Sequence, residues 1–231
     1  MKILAFDTSN RTQSAALLDK QKLLADVTIN VKKNHSISLM PSIDFLLASA
    51  DLEAEHLDRI AVAHGPGSYT GLRIAAATAK TLAYTLGIDL VGVSSLYALA
   101  AGIDFQGLVV PLIDARRNHV YAGCYEKGES VWPDCYAPLT EILDRLSSVK
   151  SLLFVGEAAA FQDQIKAALP QAEIMATRPS AYEIGKLAGH LEPVDTAAFV
   201  PQYLKRVEAE ENWLRDHQQS AGRKEGYIKR I

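Results

Sequence analysis

Short apolar runs separated by polar turns open the chain. Ile3–Phe6 closes on Asp7, the polar turn 8–13 follows, Ser14–Leu18 is a second run, 19–22 turns again, and Leu23–Ile29 is a third. Alternation of this kind between turn clusters predicts a three-stranded meander. The figure returns in Leu108–Ile113 ending at Asp114, the turn 115–118, His119–Tyr125, the turn 126–129 and Ser130–Tyr136. A repeated unit of strand, Asp, turn, strand, charged turn and strand predicts two related lobes.

Helical periods lie between and after the meanders. In residues 36–50, Leu39, Ile43, Leu46 and Ala50, with Met40 and Leu47 beside them, make one apolar stripe, and Ile37, Phe45, Ala48 and Leu52 make a second on the far side. A helix on a sheet can turn only one face to it. The second face therefore wants either a partner or another layer of the same chain, and the pattern does not choose between them.

Residues 65–80 follow the apolar run Ile60–Ala63 and read as a glycine turn opening into an alanine-rich helix. Leu72, Ala75, Ala76, Ala79, Leu82, Ala83 and Leu86 form its core stripe. The opposite face carries Ile74, Ala77, Thr78, Thr81 and Thr85, small uncharged side chains where a solvated helix would show Lys and Glu. Small residues admit a second helix at close range, so this helix is expected to be covered on both sides.

Further along, Leu90–Val93 reads as a strand, and Ser94 caps a helix reaching about Ala101. The glycine-bounded stretch 102–107 marks a lobe boundary. Helices at Leu139–Leu146, 158–168 and 180–191 and a strand at Leu152–Val155 complete the second lobe. The expected division is 1–103, 104–200, and a C-terminal helix and tail over 201–231, with Leu204, Val207 and Leu214 as a sparse docking stripe. The chain is thus α/β in two lobes.

Composition narrows the function. The 231 residues are 48% hydrophobic, enough for a substantial core, and the formal net charge of −3 argues against a stand-alone nucleic-acid binder. Cys124 and Cys135 are the only cysteines, which gives no disulfide framework or CxxC motif and points to packing roles in a reducing cytoplasm. Four apolar residues before Asp7 are too few for a signal-peptide core or a membrane span.

Candidate chemistry is sparse. Gly65, Gly67 and Gly71 precede a helix where phosphate is often bound, but their spacing misses the dinucleotide fingerprint, and Leu72 stands where a Walker loop needs Lys. The alternative is a tight corner with Ser68 or Thr70 as helix cap. Asp7 and Asp114, each ending the first strand of a lobe, would face one another across a symmetric cleft and suit Mg²⁺ with a nucleotide phosphate. The turns after them, 8–13 and 115–118, contain no glycine to bring backbone N–H groups to a phosphate. Asp in such places also serves as a turn residue. The six histidines include no HxxxH pair, and there is no GxSxG elbow.

Several segments together resemble the bacterial TsaB (YeaZ) family: FDTSNRTQSAALL, His35–Pro41, GPGSYTGLRI, Gly92–Leu96, DARRNHVYAG and PQYLKRVEAEENW, in order over nearly the whole chain. The resemblance implies two ribonuclease-H-like lobes of the actin, heat-shock 70 and sugar-kinase superfamily. It implies work with the paralogue TsaD and the ATPase TsaE in placing a threonylcarbamoyl group on the adenosine beside the anticodon of ANN-decoding tRNAs. TsaD holds a metal through an HxxxH pair; here Ser95 and Leu99 occupy those positions, and Leu99 has no lone pair to offer. Only Val155–Glu157 remains of a glycine-rich adenosine motif.

A non-catalytic sister subunit is therefore implied, with no metal and no cofactor bound by this chain alone, a vestigial nucleotide cleft at Asp7 and Asp114, and nucleotide at the partner junction. TsaD would be met through a four-helix bundle using Ile37, Phe45, Ala48, Leu52, Ile74, Ala77, Thr78, Thr81 and Thr85. tRNA would be reached through the complex, and two copies of the chain would pair through the same apolar face when the partner is missing. A self-sufficient nucleotide-dependent enzyme of the same fold and a metallopeptidase are the rival readings.

Overall fold

A computed structural model describes residues 1–31 and 34–205; the expected C-terminal helix beyond 205 lies outside the described residues. Two five-stranded sheets are built to one plan. In the first, β1 (Lys2–Asp7), β2 (Gln13–Asp19) and β3 (Lys22–Ile29) form the antiparallel meander, and β4 (Arg59–Gly65) and β5 (Asp89–Ser94) add in parallel beside β1, giving the order β3-β2-β1-β4-β5. The second repeats this with β6 (Leu108–Asp114), β7 (His119–Glu126), β8 (Glu129–Pro138), β9 (Leu152–Gly156) and the short β10 (Glu173–Ile174) in the order β10-β9-β6-β7-β8. The duplicated order is that of the ribonuclease-H-like lobe, so the repeat in the sequence corresponds to a repeat in space.

Both faces of the first sheet are covered, which is why β1 and β2 are nearly continuous apolar runs. Leu4, Phe6, Ala15 and Leu17 point to one core; Ile3, Ala5, Ala16 and Leu18 point to the other. The edge strand β3 alternates half-buried and exposed positions, as expected of a strand covered on one side.

The first of these cores is closed by α1 (His35–Ser49) and α2 (Tyr69–Leu86), which touch one another and contribute Leu39, Ile43 and Leu46, and Ala75, Ala76, Ala79 and Ala83. Asn34 caps α1 by accepting from Ser36 N; Ser68 caps α2 by accepting from Gly71 N. Of the two candidate caps, the hydroxyl of Ser68 is the one used.

The helices that cover the inner faces are crossed between the lobes. α3 (Ser95–Ala100), which follows the first sheet in sequence, packs Leu96, Leu99 and Ala100 on Val109, Ile113, Leu153 and Val155 of the second. α6 (Ala181–Ala188), which follows the second sheet, packs Ala181, Ile184 and Ala188 on the first. Gly185 lies so close to Leu18 that an added Cβ would stand 2.5 Å from its Cδ1. The division at 103/104 thus separates the strands but not the helices that cover them.

Buried Arg59 fixes the end of α6 by donating to the carbonyls of Ala188 and Leu191 and to Asp89. The outer face of the second sheet is closed by α4 (Leu139–Arg145) and α5 (Gln162–Ala168) over Val110, Leu112 and Phe154, with Cys124 inside that core and Cys135 against it.

Candidate functional site

The residues singled out from the sequence fall in two regions: the outer surface of α1 and α2, and the cleft between the lobes.

On α1, the inward stripe leaves Ile37 72% and Phe45 59% exposed, with Ala48 also exposed. On α2, Ala77, Thr81 and Thr85 are exposed, and Ile74 and Thr78 are half-buried. Leu52 departs from the expectation. α1 stops at Ser49 because Ala50 leaves helical geometry and Asp51 turns to a positive φ of 51°, so Leu52 is not on the helix and packs, half-buried, against the first-lobe core. Met40, placed beside the inward stripe by its spacing, is 48% exposed. Tyr84 on α2 joins this surface without a signal in the small-residue pattern. It is 83% exposed, three residues from Thr81 on the same outer face, and a wheel that admitted large as well as small residues would have included it. A shallow groove of about 440 Å³ between α1 and edge strand β3 is lined by Val27, Ile29, Ile37, Pro41 and Phe45. Among the described residues no charged side chain lines it.

The glycine turn is pressed against its own chain. Ser68 N donates to Ser9 O (2.6 Å) and Thr8 Oγ1 donates to Gly71 O (2.8 Å). A Cβ on Gly71 would lie 1.9 Å from Thr8 O, one on Gly67 2.3 Å from Ser9 O, and one on Gly65 2.4 Å from Gln202 O. These glycines let the start of α2 dock onto the β1–β2 turn, and the space a phosphate cradle would use at Gly65 and Gly71 is filled by backbone.

Asp7 and Asp114 end equivalent strands but sit in different surroundings. Asp7 is fully buried; its Oδ1 accepts from Ser9 N (2.6 Å), its Oδ2 has no partner, and burial pushes its pKa up to about 6 against the pull of the Ser9 N–H. Asp114 is exposed and caps its own turn by accepting from Arg116 N (2.8 Å). Asp114 lines the interlobe cleft, a cavity of about 800 Å³, whereas Ser9, Asn10 and Arg11 supply the wall on the Asp7 side. Glu157 Oε2 accepts from Asp114 N (2.7 Å), and burial raises the pKa of this carboxyl.

Around the cleft stand Tyr69, Tyr121 and Tyr203, with Arg11, Arg116, His35 and Lys205. Tyr69 and Tyr203 meet at 5.3 Å with their rings tilted by 37°, and the Arg73 guanidinium lies 4.3 Å above the Tyr69 ring. Tyr121 leans on Tyr136, which stacks on His119 at 5.1 Å. Ser95 is fully buried with an unpartnered hydroxyl, and Leu99, on the same helix, is buried in the core between α3 and the second sheet. Among the described residues, no three His, Cys, Asp or Glu side chains gather in a way that could hold a metal ion.

Comparison with known proteins adds the following. The family model described as tRNA N6-adenosine threonylcarbamoyltransferase (TsaD) matches residues 22–213. The chain is 40% identical over 227 residues to the tRNA threonylcarbamoyladenosine biosynthesis protein TsaB of Bacillus subtilis (strain 168), covering 93% of this chain and 98% of that protein. The TsaB of Escherichia coli (strain K12) is 30% identical over 57% of this chain and 58% of its own. Among solved structures, YeaZ from Pseudomonas aeruginosa superposes with a TM-score of 0.73 at 29% identity, covering 88% of this chain and 99% of that one.

Proposed function

The chain belongs to the TsaB family of tRNA threonylcarbamoyladenosine biosynthesis proteins, and from that premise we propose that it is the non-catalytic subunit that holds a TsaD partner in its active arrangement, with TsaE as the further component of the complex. The observation that carries this reading is the outer surface of α1 and α2. Ile37, Phe45, Tyr84 and Met40 stand exposed beside Ala77 and Thr81, where a solvated helix pair would carry charge. Small residues on α2 allow a partner helix to approach closely, and the large ones around them supply apolar area.

The cleft supports the same reading. Ser95 and Leu99 offer no metal-binding pair, and the glycine turn is closed by Thr8, Ser9 and Gln202. When the partner is missing, the same surface pairs two copies of this chain, since a two-fold contact uses one apolar patch twice.

Ala77→Arg tests the assignment. The side chain is solvent-facing, so the isolated variant keeps its fold and melting temperature, while a long charged group in a close helix crossing drives co-purification with TsaD down to background. Recovery of the complex at wild-type yield would refute the interface. Reconstituted tRNA modification with the variant, with wild-type chain and with no chain then measures what the contact contributes; equal product in all three would refute the activating role.

A further inference from the structure

The interlobe cleft does not end where Arg11 lines it. A second cavity of about 640 Å³ shares Asn10, Arg11 and Glu157 with the first and continues past Thr177, Arg178 and Pro179. One groove therefore runs between the lobes from Lys205, past Arg116 and Arg11, to Arg178. Among the described residues four cations line it, opposed by two carboxylates, Asp114 and Glu157, in a protein whose net charge is −3. Among the described residues no ion pair engages Arg11, Arg116 or Arg178, all of which are exposed. The forked donors of Arg11 and Arg178 are open to a phosphate, while the charge of Arg116 also acts on the Glu157 carboxyl, whose pKa it lowers.

The aromatic content is concentrated at one end of this groove. Tyr69 and Tyr203 are 45% and 43% exposed, and half-buried Tyr121 faces the same cavity from the second sheet. Cations spaced along a groove with aromatic faces between the walls match single-stranded nucleic acid, whose phosphates repeat and whose bases stack on tyrosine regardless of sequence. The two carboxylates fit RNA better than a bare polyanion, because they can accept from ribose hydroxyls and exocyclic amines while repelling inorganic phosphate. A free nucleotide would fill one cavity and leave Arg178 unused.

We infer that the interlobe groove of this chain is itself a binding surface for single-stranded RNA, holding phosphates on Arg11, Arg116 and Arg178 and a base against Tyr121. The inference rests on the tRNA-modification reading only for which RNA arrives there; the groove's chemistry is independent of the α1–α2 surface.

The test is fluorescence anisotropy of the full chain with a labelled single-stranded RNA oligonucleotide and with a labelled transcript of an ANN-decoding tRNA, titrated at several salt concentrations. Wild-type protein is expected to bind both at low salt, with log K falling against log salt at a slope of about −2 to −3 for three or four phosphate contacts. Arg11→Glu with Arg116→Glu weakens binding at least tenfold at unchanged melting temperature, Arg116→Lys retains most of it, and Tyr121→Phe binds as wild type while Tyr121→Ala does not. RNA binding that is indifferent to the double charge reversal would overturn the groove, as would complete displacement by ATP that depends on the same arginines, since the groove would then take a free nucleotide. Ala77→Arg is run in parallel: it should lose TsaD and keep RNA, whereas the charge reversal should lose RNA and keep TsaD. If only the first pattern appears the groove inference falls, and if only the second appears the scaffold reading falls.

Discussion

Ser94 Oγ donates to Asp134 Oδ2 at 2.5 Å, joining the last residue of β5 in the first sheet to β8 in the second. The same hydroxyl accepts from Leu96 N and Tyr97 N and so caps α3, the helix that crosses to the other lobe. Tyr125 donates its phenol to the other carboxylate oxygen at 3.1 Å. Burial raises the pKa of Asp134, and the bonds from Ser94 and Tyr125 offset part of that. One side chain therefore both starts α3 and bonds across from the first sheet to the second.

Ser94→Ala is accordingly expected to destabilise the protein more than loss of a cap alone. Losing the cap costs about 1 kcal/mol, and removing a donor from a carboxylate costs about 1.5–3 kcal/mol more. Urea denaturation should show a loss of about 2.5–4 kcal/mol, with Ser94→Thr recovering most of it. A loss no larger than that of an ordinary cap would show that the Asp134 bond contributes nothing.

Asp7 makes the folded protein's stability depend on pH. Its pKa is 3.8 in an unfolded reference and about 6 in the fold, raised chiefly by burial. Below about pH 4 the carboxyl is protonated in both states, and the stability associated with the raised pKa is fully present. Between about pH 4 and 6 the unfolded chain has released its proton while the folded chain retains it, so that stability is lost progressively and is gone once pH has risen through the folded value of about 6, on the order of 3 kcal/mol for a shift near two units. Asp7→Asn, which keeps an acceptor for Ser9 N, is expected to melt above wild type at about pH 8, with the difference shrinking to nothing near pH 4. Thermal melts across that range check it; a difference that is constant with pH would show that Asp7 is not the titrating group.

Gly71 separates two opposing effects of one methyl group. In a helix interior Ala is favoured over Gly by about 1 kcal/mol. Here the added Cβ would lie 1.9 Å from Thr8 O, a backbone atom that no side-chain rotation can move aside. Gly71→Ala should therefore lose roughly 3 kcal/mol or more, as overpacking does at rigid sites, while Gly87→Ala, where nothing lies within 4 Å but φ is +66°, should cost only about 1 kcal/mol. Equal stability of Gly71→Ala and wild type, by urea melts, would mean that the β1–β2 turn moves freely away from α2.

What was legible in the sequence follows from which forces are local. β1 and β2 declare themselves because both faces are buried and their central positions, Ile3–Phe6 and Ala15–Leu18, are all apolar, and the repeat of the meander exposes the duplicated sheet order. The crossing of α3 and α6 was not legible, since an apolar helix such as Ser95–Ala100 fits either sheet and only the packing of the whole chain decides. β10 has two residues and exists through pairing with β9, beyond any periodicity. Leu52 kept helical phase on the wheel, but the chain had already turned at Asp51. The groove's cations were hidden because Arg11, Arg116, Arg178 and Lys205 come from separate segments that the fold brings to one line, while net charge averages over the whole surface.

Phe45 offers a test of self-association that leaves the fold untouched. Its ring is 59% exposed on α1 beside the groove toward β3, so the isolated subunit gains little from it. A two-fold contact through this surface would bury the ring twice, once from each copy. Burying a Phe side chain is worth about 1.5–3 kcal/mol, and two equivalent rings therefore about 3–6 kcal/mol of dimer stability, at least a hundredfold in the dimer dissociation constant. Phe45→Ser should shift the protein toward monomer by that factor in sedimentation equilibrium, with a melting temperature at or slightly above wild type once self-association is diluted out. Ile37→Ser should act in the same direction, because Ile37 lines the same groove and is 72% exposed. A dimer that persists in both variants would place the contact on another surface.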